Sequence, residues 1–268
     1  MRAVWFIRKF QLLLNFTKYP NYSPKSRTPQ QPQHVSCDIM TTLTTRNEIV
    51  KTKKIICSEL TKMQKAFYDE EMLQYYKDDN EEHLYWEQFD CINNEEIDYS
   101  TFNKIISIDH TNIDTFTNKL TEKLTELFKT IDVTDFIIIS HLKLDFFGNR
   151  DNDFKPLKEA CRKLEKIVGG KTFNEAFQID IDSLQDFIEI LLWTTRCDPS
   201  VAEYIFLFDK DEQIQFHLCK YGNLHLTEYN NEYLTDDKLK ELGWTIIEGQ
   251  EFDNFTESGK IEGRGIKL

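Results

Sequence analysis

The sequence predicts an α+β fold, in which a helical N-terminal segment is followed by helices packed on a mixed or antiparallel sheet. Three observations lead to this prediction. No glycine precedes Gly148, which favours helices over hairpins and tight turns in the first half of the chain. The run 136–139 is wholly apolar, as in a buried strand. After residue 204, short apolar runs alternate with turn signals, which predicts a C-terminal three-stranded meander.

Helical periodicity marks the first half of the chain. Thr45 and Glu48 form a capping box, in which a hydroxyl and a carboxylate satisfy free amides at a helix start. The apolar stripe that follows reaches Phe67, and the helix either breaks at the acidic residues 69–71 or continues beyond them. The same spacing of apolar residues predicts a second helix at 114–131.

The second half should begin with a long strand. The buried run at 136–139 is expected to continue to Phe146, because polar and apolar residues alternate along it. In this arrangement His141, Lys143 and Asp145 share one face of the strand, near its C-terminal end.

Two helices are predicted between this strand and the meander. Asp153 should cap the first of them, Pro156 lies in its first turn, and Gly169 ends it. Asp182 should cap the second, at 183–196, which is apolar almost all round. We therefore expect this helix to be central and buried.

Turn geometry predicts the register of the meander. Its strands are expected at 204–208, 214–219 and 224–227. A three-residue loop with Gly222 in the left-handed position places Leu218 opposite Leu224 on an apolar face. The same register places His217 opposite His225 on the polar face, whereas a shift of one residue would mix the two faces.

Composition separates residues 1–39 from the rest of the chain. This segment holds four of the six prolines, and its first 37 residues carry six basic side chains and no acidic ones. Three interpretations remain open: a mitochondrial-type transit peptide, a mis-assigned start before Met40, and a disordered arm.

The remaining chain is divided into a mainly helical segment at 40–132, an α+β domain at 133–255 packed with those helices, and a tail at 256–268. The tail is expected to be flexible. Its residues 261–264 match the cleavage sequence of factor Xa, so the tail is either natural or derived from an expression vector.

Charge and cysteine content limit the functional classes. The net charge of −13, combined with the basic N-terminal segment, leaves the body strongly acidic, which argues against nucleic-acid binding. The six cysteines show no CxxC spacing, which indicates a reducing intracellular compartment, or mitochondria if residues 1–39 are a transit peptide. No apolar stretch is long enough to span a membrane.

An acidic stretch at 69–90, rich in aromatic residues, is the main functional clue. Aromatic residues are enriched at interface hot spots, and carboxylates around them steer a basic partner. We expect a non-enzymatic protein-binding module without a cofactor, similar in charge and size to inhibitor or immunity proteins that neutralise basic partners. The predicted partner-binding residues are Tyr75, Tyr76, Glu81, Glu82, Tyr85 and Trp86.

The alternative is an enzyme. His141, Lys143 and Asp145 offer a general acid–base set, and the pair His217 and His225 could hold a metal ion if a third ligand joined it. The sequence does not locate that ligand. The chain contains no GxSxG, P-loop, GxGxxG or HExxH motif.

Overall fold

A computed structural model describes residues 41–149 and 152–249, together with residues 251, 253 and 255. This part of the chain contains eight α-helices and a single eight-stranded antiparallel sheet, which confirms the α+β prediction. The expectations for residues 1–39 and 256–268 lie outside the described residues.

The sheet has the spatial order β1-β4-β3-β5-β6-β7-β2-β8. Its strands are β1 (Thr42–Thr44), β2 (Thr101–Ser107), β3 (Asp135–Ser140), β4 (Ala176–Asp180), β5 (Ile205–Asp209), β6 (Ile214–Leu218), β7 (Leu224–Tyr229) and β8 (Thr245–Ile246). Strands β5, β6 and β7 are neighbours in both sequence and space, which confirms the predicted meander. Strand β2, which was not predicted, pairs with β7 and brings the N-terminal segment into the sheet.

The helices follow the predicted stripes, with some shifted ends. They are α1 (Arg46–Thr52), α2 (Lys54–Phe67), α3 (Glu70–Asp78), α4 (Glu82–Glu87), α5 (Ile113–Thr130), α6 (Lys155–Val168), α7 (Leu184–Cys197) and α8 (Asp236–Glu241). The predicted first helix is divided at Lys53, where Glu212 caps α2 by accepting hydrogen bonds from the amides of Ile55 and Ile56. Of the two alternatives left open at residues 69–71, the structure shows the break: α2 ends at Phe67 and α3 begins at Glu70.

Two of the predicted helix caps were wrong. The residue before α6 is Phe154, which makes no side-chain cap, although Pro156 does lie in the first turn. Asp180, not Asp182, accepts a hydrogen bond from the amide of Ser183 and starts a short 3-10 turn that leads into α7. Helix α7 itself is buried on nearly all sides, as predicted.

Helices cover both faces of the sheet. Along β5, Ile205 and Leu207 belong to the core cluster that also contains residues of α5, α6 and α7. Phe206 and Phe208 point to the opposite face, into a second cluster with residues of α1 and α2. This burial on two faces explains why β3 and β5 are continuously apolar instead of alternating.

An ion pair between a buried arginine and a partly exposed aspartate holds the N-terminal helices against the sheet. The guanidinium group of Arg46 is 1% exposed and donates two hydrogen bonds to the carboxylate of Asp90, of 2.7 and 2.9 Å. It also donates to the carbonyl oxygen of Ser140 at the end of β3. Gln64 of α2 donates to both Asp90 and the carbonyl oxygen of His141.

Candidate functional site

The stretch 69–90 forms two short helices around a buried tyrosine. Asp69 caps α3 by accepting hydrogen bonds from the amides of Glu71 and Met72. The hydroxyl group of Tyr85 in α4 donates to the carbonyl oxygen of Asp69 and accepts from its amide, both at 2.9 Å. Tyr85 is only 3% exposed, so it fixes α4 against the start of α3.

Large apolar side chains remain exposed around this buried anchor. Trp86 is 39% exposed and stacks on Tyr68, with ring centroids 6.0 Å apart and an interplanar angle of 21°. Tyr75 and Leu84 are also exposed, at 45% and 39%. Half of the eight exposed large hydrophobic residues within the described ranges therefore lie between residues 68 and 86.

Carboxylates surround these side chains. We use the name acidic-aromatic surface for the four exposed apolar residues Tyr68, Tyr75, Leu84 and Trp86 together with the exposed acidic residues Glu70, Glu71, Asp78, Asp79, Glu82 and Glu87. Glu82 accepts a hydrogen bond from the indole nitrogen of Trp86 at 3.1 Å, so an acidic group and an aromatic ring are directly joined.

The six residues predicted to bind a partner differ in exposure. Tyr75, Glu82 and Trp86 are exposed, and Tyr76 and Glu81 are half-buried. Tyr85 is buried and supports the others from beneath. The sequence pattern could not separate these roles, because all six lie in or beside helices of one or two turns, where apolar spacing carries little information.

The second candidate site lies on the β6–β7 hairpin, whose register is the predicted one. His217 pairs with His225 and Leu218 with Leu224, and Gly222 adopts the left-handed conformation with φ of +84°. The aromatic ring of Phe255 packs directly on Gly222 and would lie 2.7 Å from any added Cβ atom.

The histidine face of this hairpin is covered at His217, whereas His225 is partly exposed. His217 is 4% exposed, and its ring lies between those of Tyr204 and His225, at centroid distances of 4.8 and 5.1 Å. Its Nε2 atom is 3.3 Å from the carbonyl oxygen of Glu203. Burial, assisted by the nearby charge of His225, lowers the pKa of His217 to about 3.

A third polar group joins His225 from the C-terminal segment. A single carboxylate oxygen, Oε2 of Glu251, lies 3.2 Å from Nε2 of His225 and 3.1 Å from Sγ of Cys219. The side-chain amide of Asn223 donates to the same oxygen at 3.3 Å. Burial, followed by the negative charge of Glu251, raises the pKa of the Cys219 thiol to about 12. Cys219, His225 and Glu251 line a cavity of about 210 Å³ together with Tyr204 and other residues.

An ion pair positions the segment that carries Glu251. Arg196 of α7 donates two hydrogen bonds, of 3.0 and 2.9 Å, to the carboxylate of Asp253, and both side chains are buried. Arg196 also donates to the carbonyl oxygen of Lys220 in the hairpin loop. The sequence contained a signal for this pair, because an arginine within an otherwise apolar helix requires a buried acceptor.

His141, Lys143 and Asp145 do not form the expected strand face, because β3 ends at Ser140. His141 is buried, with Nδ1 3.1 Å from the carbonyl oxygen of Tyr204, and burial lowers its pKa to about 4. Lys143 lies 3.5 Å from the carboxylate of Glu175. Asp145 accepts hydrogen bonds from the backbone amides of Phe147 and Phe173.

The structure instead links His141 to the histidine hairpin. The ring of Tyr204 lies 5.3 Å from that of His141 and 4.8 Å from that of His217. His141 and His217, which come from residue sets that seemed unrelated in the sequence, therefore pack against the same tyrosine ring.

Comparison with known proteins adds no functional assignment. No protein-family model, no curated protein and no solved structure matches this chain. Among the residues that the structure describes, no helix combines the length and apolar character needed to cross a membrane.

Proposed function

We propose that the protein is a binding module that recruits a basic protein partner through the acidic-aromatic surface. The observation that carries the proposal is the exposure of the stacked pair Trp86 and Tyr68 among carboxylates. Exposed large aromatic side chains are costly to leave in water and are typical anchors of protein interfaces.

The charge distribution supports a basic partner. Six exposed acidic residues lie on or beside α3 and α4, and Lys77, an exposed lysine among them, is already paired at 3.6 Å with Glu82. Acidic groups at the rim of an interface accelerate association with a cationic protein and repel acidic competitors.

The rigid support beneath the surface also suits binding. Tyr85 is hydrogen-bonded to Asp69 and packs on Phe89, with ring centroids 4.8 Å apart. The exposed rings are therefore held before a partner arrives, which reduces the side-chain entropy lost on association. This arrangement fits a protein of the inhibitor or immunity type, whose task is to occupy and neutralise a basic protein.

The test begins with affinity capture from a lysate of the source organism, followed by kinetics with the purified captured protein. Trp86→Ala should raise the dissociation rate, with a loss of about 2 kcal/mol in binding free energy if Trp86 is a hot spot. Tyr233→Ala is the matched control, because Tyr233 is exposed to a similar extent, at 38%, in another part of the chain. Equal effects of the two changes, or an acidic captured protein, would contradict the proposal.

A further inference from the structure

We infer that Cys219, His225 and Glu251 form a binding site for a divalent transition-metal ion, with zinc as the best match. This inference is independent of the acidic-aromatic surface. It replaces the metal pair that the sequence suggested, His217 and His225, by a set in which His225 acts with a thiol and a carboxylate.

The ligand atoms already approach the geometry of a zinc site. Sγ of Cys219, Nε2 of His225 and the Glu251 carboxylate oxygen all lie within 4.8 Å of one another. Two of the three separations are 3.1 and 3.2 Å. Tetrahedral zinc with bonds of about 2.0–2.3 Å needs ligand separations of about 3.3–3.6 Å. The two short separations would therefore have to lengthen by only a few tenths of an ångström, and the third, between Sγ of Cys219 and Nε2 of His225, is at most 4.8 Å.

The chemistry of the three ligands selects the ion. Zinc binds thiolate, imidazole and carboxylate groups, whereas magnesium and calcium prefer sites made only of oxygen ligands. The thiol of Cys219 must lose its proton to bind, so metal uptake should release protons to the solvent.

The surroundings hold the ligands in place. Cys219 and His225 flank the tight loop of one hairpin, and Glu251 is positioned through the buried pair Arg196 and Asp253. The Asn223 amide donates to the ligating oxygen, as partners in the outer shell of a metal site do. Asn223 is fully buried, and its Oδ1 atom has no hydrogen-bond partner within the described residues.

The three ligand residues line the 210 Å³ cavity together with Glu203, Tyr204, His217 and Tyr221, so the cavity offers space for a fourth ligand beside them. Three protein ligands with an open fourth position is the arrangement that zinc adopts where it binds water or a small molecule. Hydrogen bonds from Cys219 and His225 to Glu251 would produce similar distances without a metal, so the experiment must separate the two explanations.

The experiment uses the full chain, stripped of metal with a chelator and titrated with Zn²⁺ by isothermal calorimetry, and separately with Co²⁺ followed by absorption. We expect one ion per chain, together with a thiolate-to-cobalt charge-transfer band in the near ultraviolet. Cys219→Ser should abolish the band and weaken zinc binding at least about 100-fold, since even outer-shell changes cost about 10–100-fold.

Matched controls separate a site from non-specific binding. Cys57→Ser removes a half-buried thiol elsewhere, and His110→Ala removes a histidine in a different part of the chain, so both should leave affinity and spectrum unchanged. His225→Gln, at a partly exposed side chain, tests the site if Cys219→Ser does not fold. Absence of zinc binding up to about 100 μM in the unaltered chain, or binding that survives both ligand changes, would overturn the inference.

Discussion

Loss of the Asp90 carboxylate should destabilise the protein strongly, because it leaves the buried charge of Arg46 unpaired. In the Asp90→Ala variant, Arg46 would keep its hydrogen bond to the carbonyl oxygen of Ser140 but lose both bonds to the carboxylate. Gln64 would lose one of its acceptors in the same network.

The magnitude follows from the burial of the two partners. Removing one member of a buried ion pair costs about 3–5 kcal/mol of unfolding free energy. Arg46 is 1% exposed but the Asp90 side chain is 24% exposed, so water can reach part of the gap. We therefore expect a loss of about 3 kcal/mol, which corresponds to a fall of about 6–12 °C in Tm for a domain of this size.

Equilibrium unfolding in urea at pH 7 measures this loss. Asp98→Ala removes an exposed carboxylate eight residues further along the chain and should change the unfolding free energy by less than about 0.5 kcal/mol. Adding Arg46→Met to Asp90→Ala should recover part of the loss, because no unpaired charge remains. A loss below about 1 kcal/mol for Asp90→Ala would refute the reasoning.

Acid provides a second test of the same pair. Burial alone would raise the pKa of Asp90, but the hydrogen bonds and positive charge of Arg46 outweigh it and lower this pKa. The resulting stabilisation is present above the unfolded carboxyl pKa of about 3.9 and is lost as pH falls through the lower folded value. The difference between the unaltered chain and Asp90→Ala should therefore shrink at strongly acidic pH.

Three further changes test other parts of the fold by the same unfolding measurement. Between about pH 6.5 and 4 the unaltered chain should lose about 1.4 kcal/mol of unfolding free energy per pH unit, because the buried His141 stays neutral in the folded chain but takes up a proton in the unfolded one. His141→Gln should remove this loss, and an unchanged slope would contradict the reasoning. Gly222→Ala should cost at least about 1 kcal/mol, since its Cβ atom would meet Phe255, whereas Gly170→Ala, with open space, should not. Leu191→Ala in α7 should cost about 2–5 kcal/mol, and a cost below about 1 kcal/mol would mean that this helix is exposed.

Local rules predicted the parts of the fold that depend on neighbouring residues. The stripe at 114–131 became α5, and the left-handed Gly222 with alternating apolar residues fixed the pairing of His217 with His225. In each case periodicity and turn chemistry act within about twenty residues, where sequence patterns are most informative.

The predictions that failed concern features that depend on contacts between distant parts of the chain. The strand expected to reach Phe146 ends at Ser140, because the following amides bond to other segments, as Lys143 does to the carbonyl oxygen of Gln88. Glu251 meets Cys219 and His225 only through tertiary packing, and no spacing in the sequence signals it. The polar face of the hairpin is likewise covered in part by distant residues, since Tyr204 packs on His217 and Glu251 bonds to His225.

The salt dependence of partner association tests the central claim most directly. Association rates of the captured partner should be measured by surface plasmon resonance at low and physiological salt, for the unaltered chain and for a variant with Glu70, Glu71 and Glu82 changed to Lys. A control variant with Glu122→Lys changes a single exposed carboxylate on α5 instead.

Steering by the acidic-aromatic surface predicts that the association rate falls steeply as the Debye length shrinks to about 8 Å, and that the triple reversal removes most of this dependence. Glu122→Lys should leave most of the dependence in place. An association rate that ignores both salt and the triple reversal would contradict the proposal that this surface recruits a basic partner.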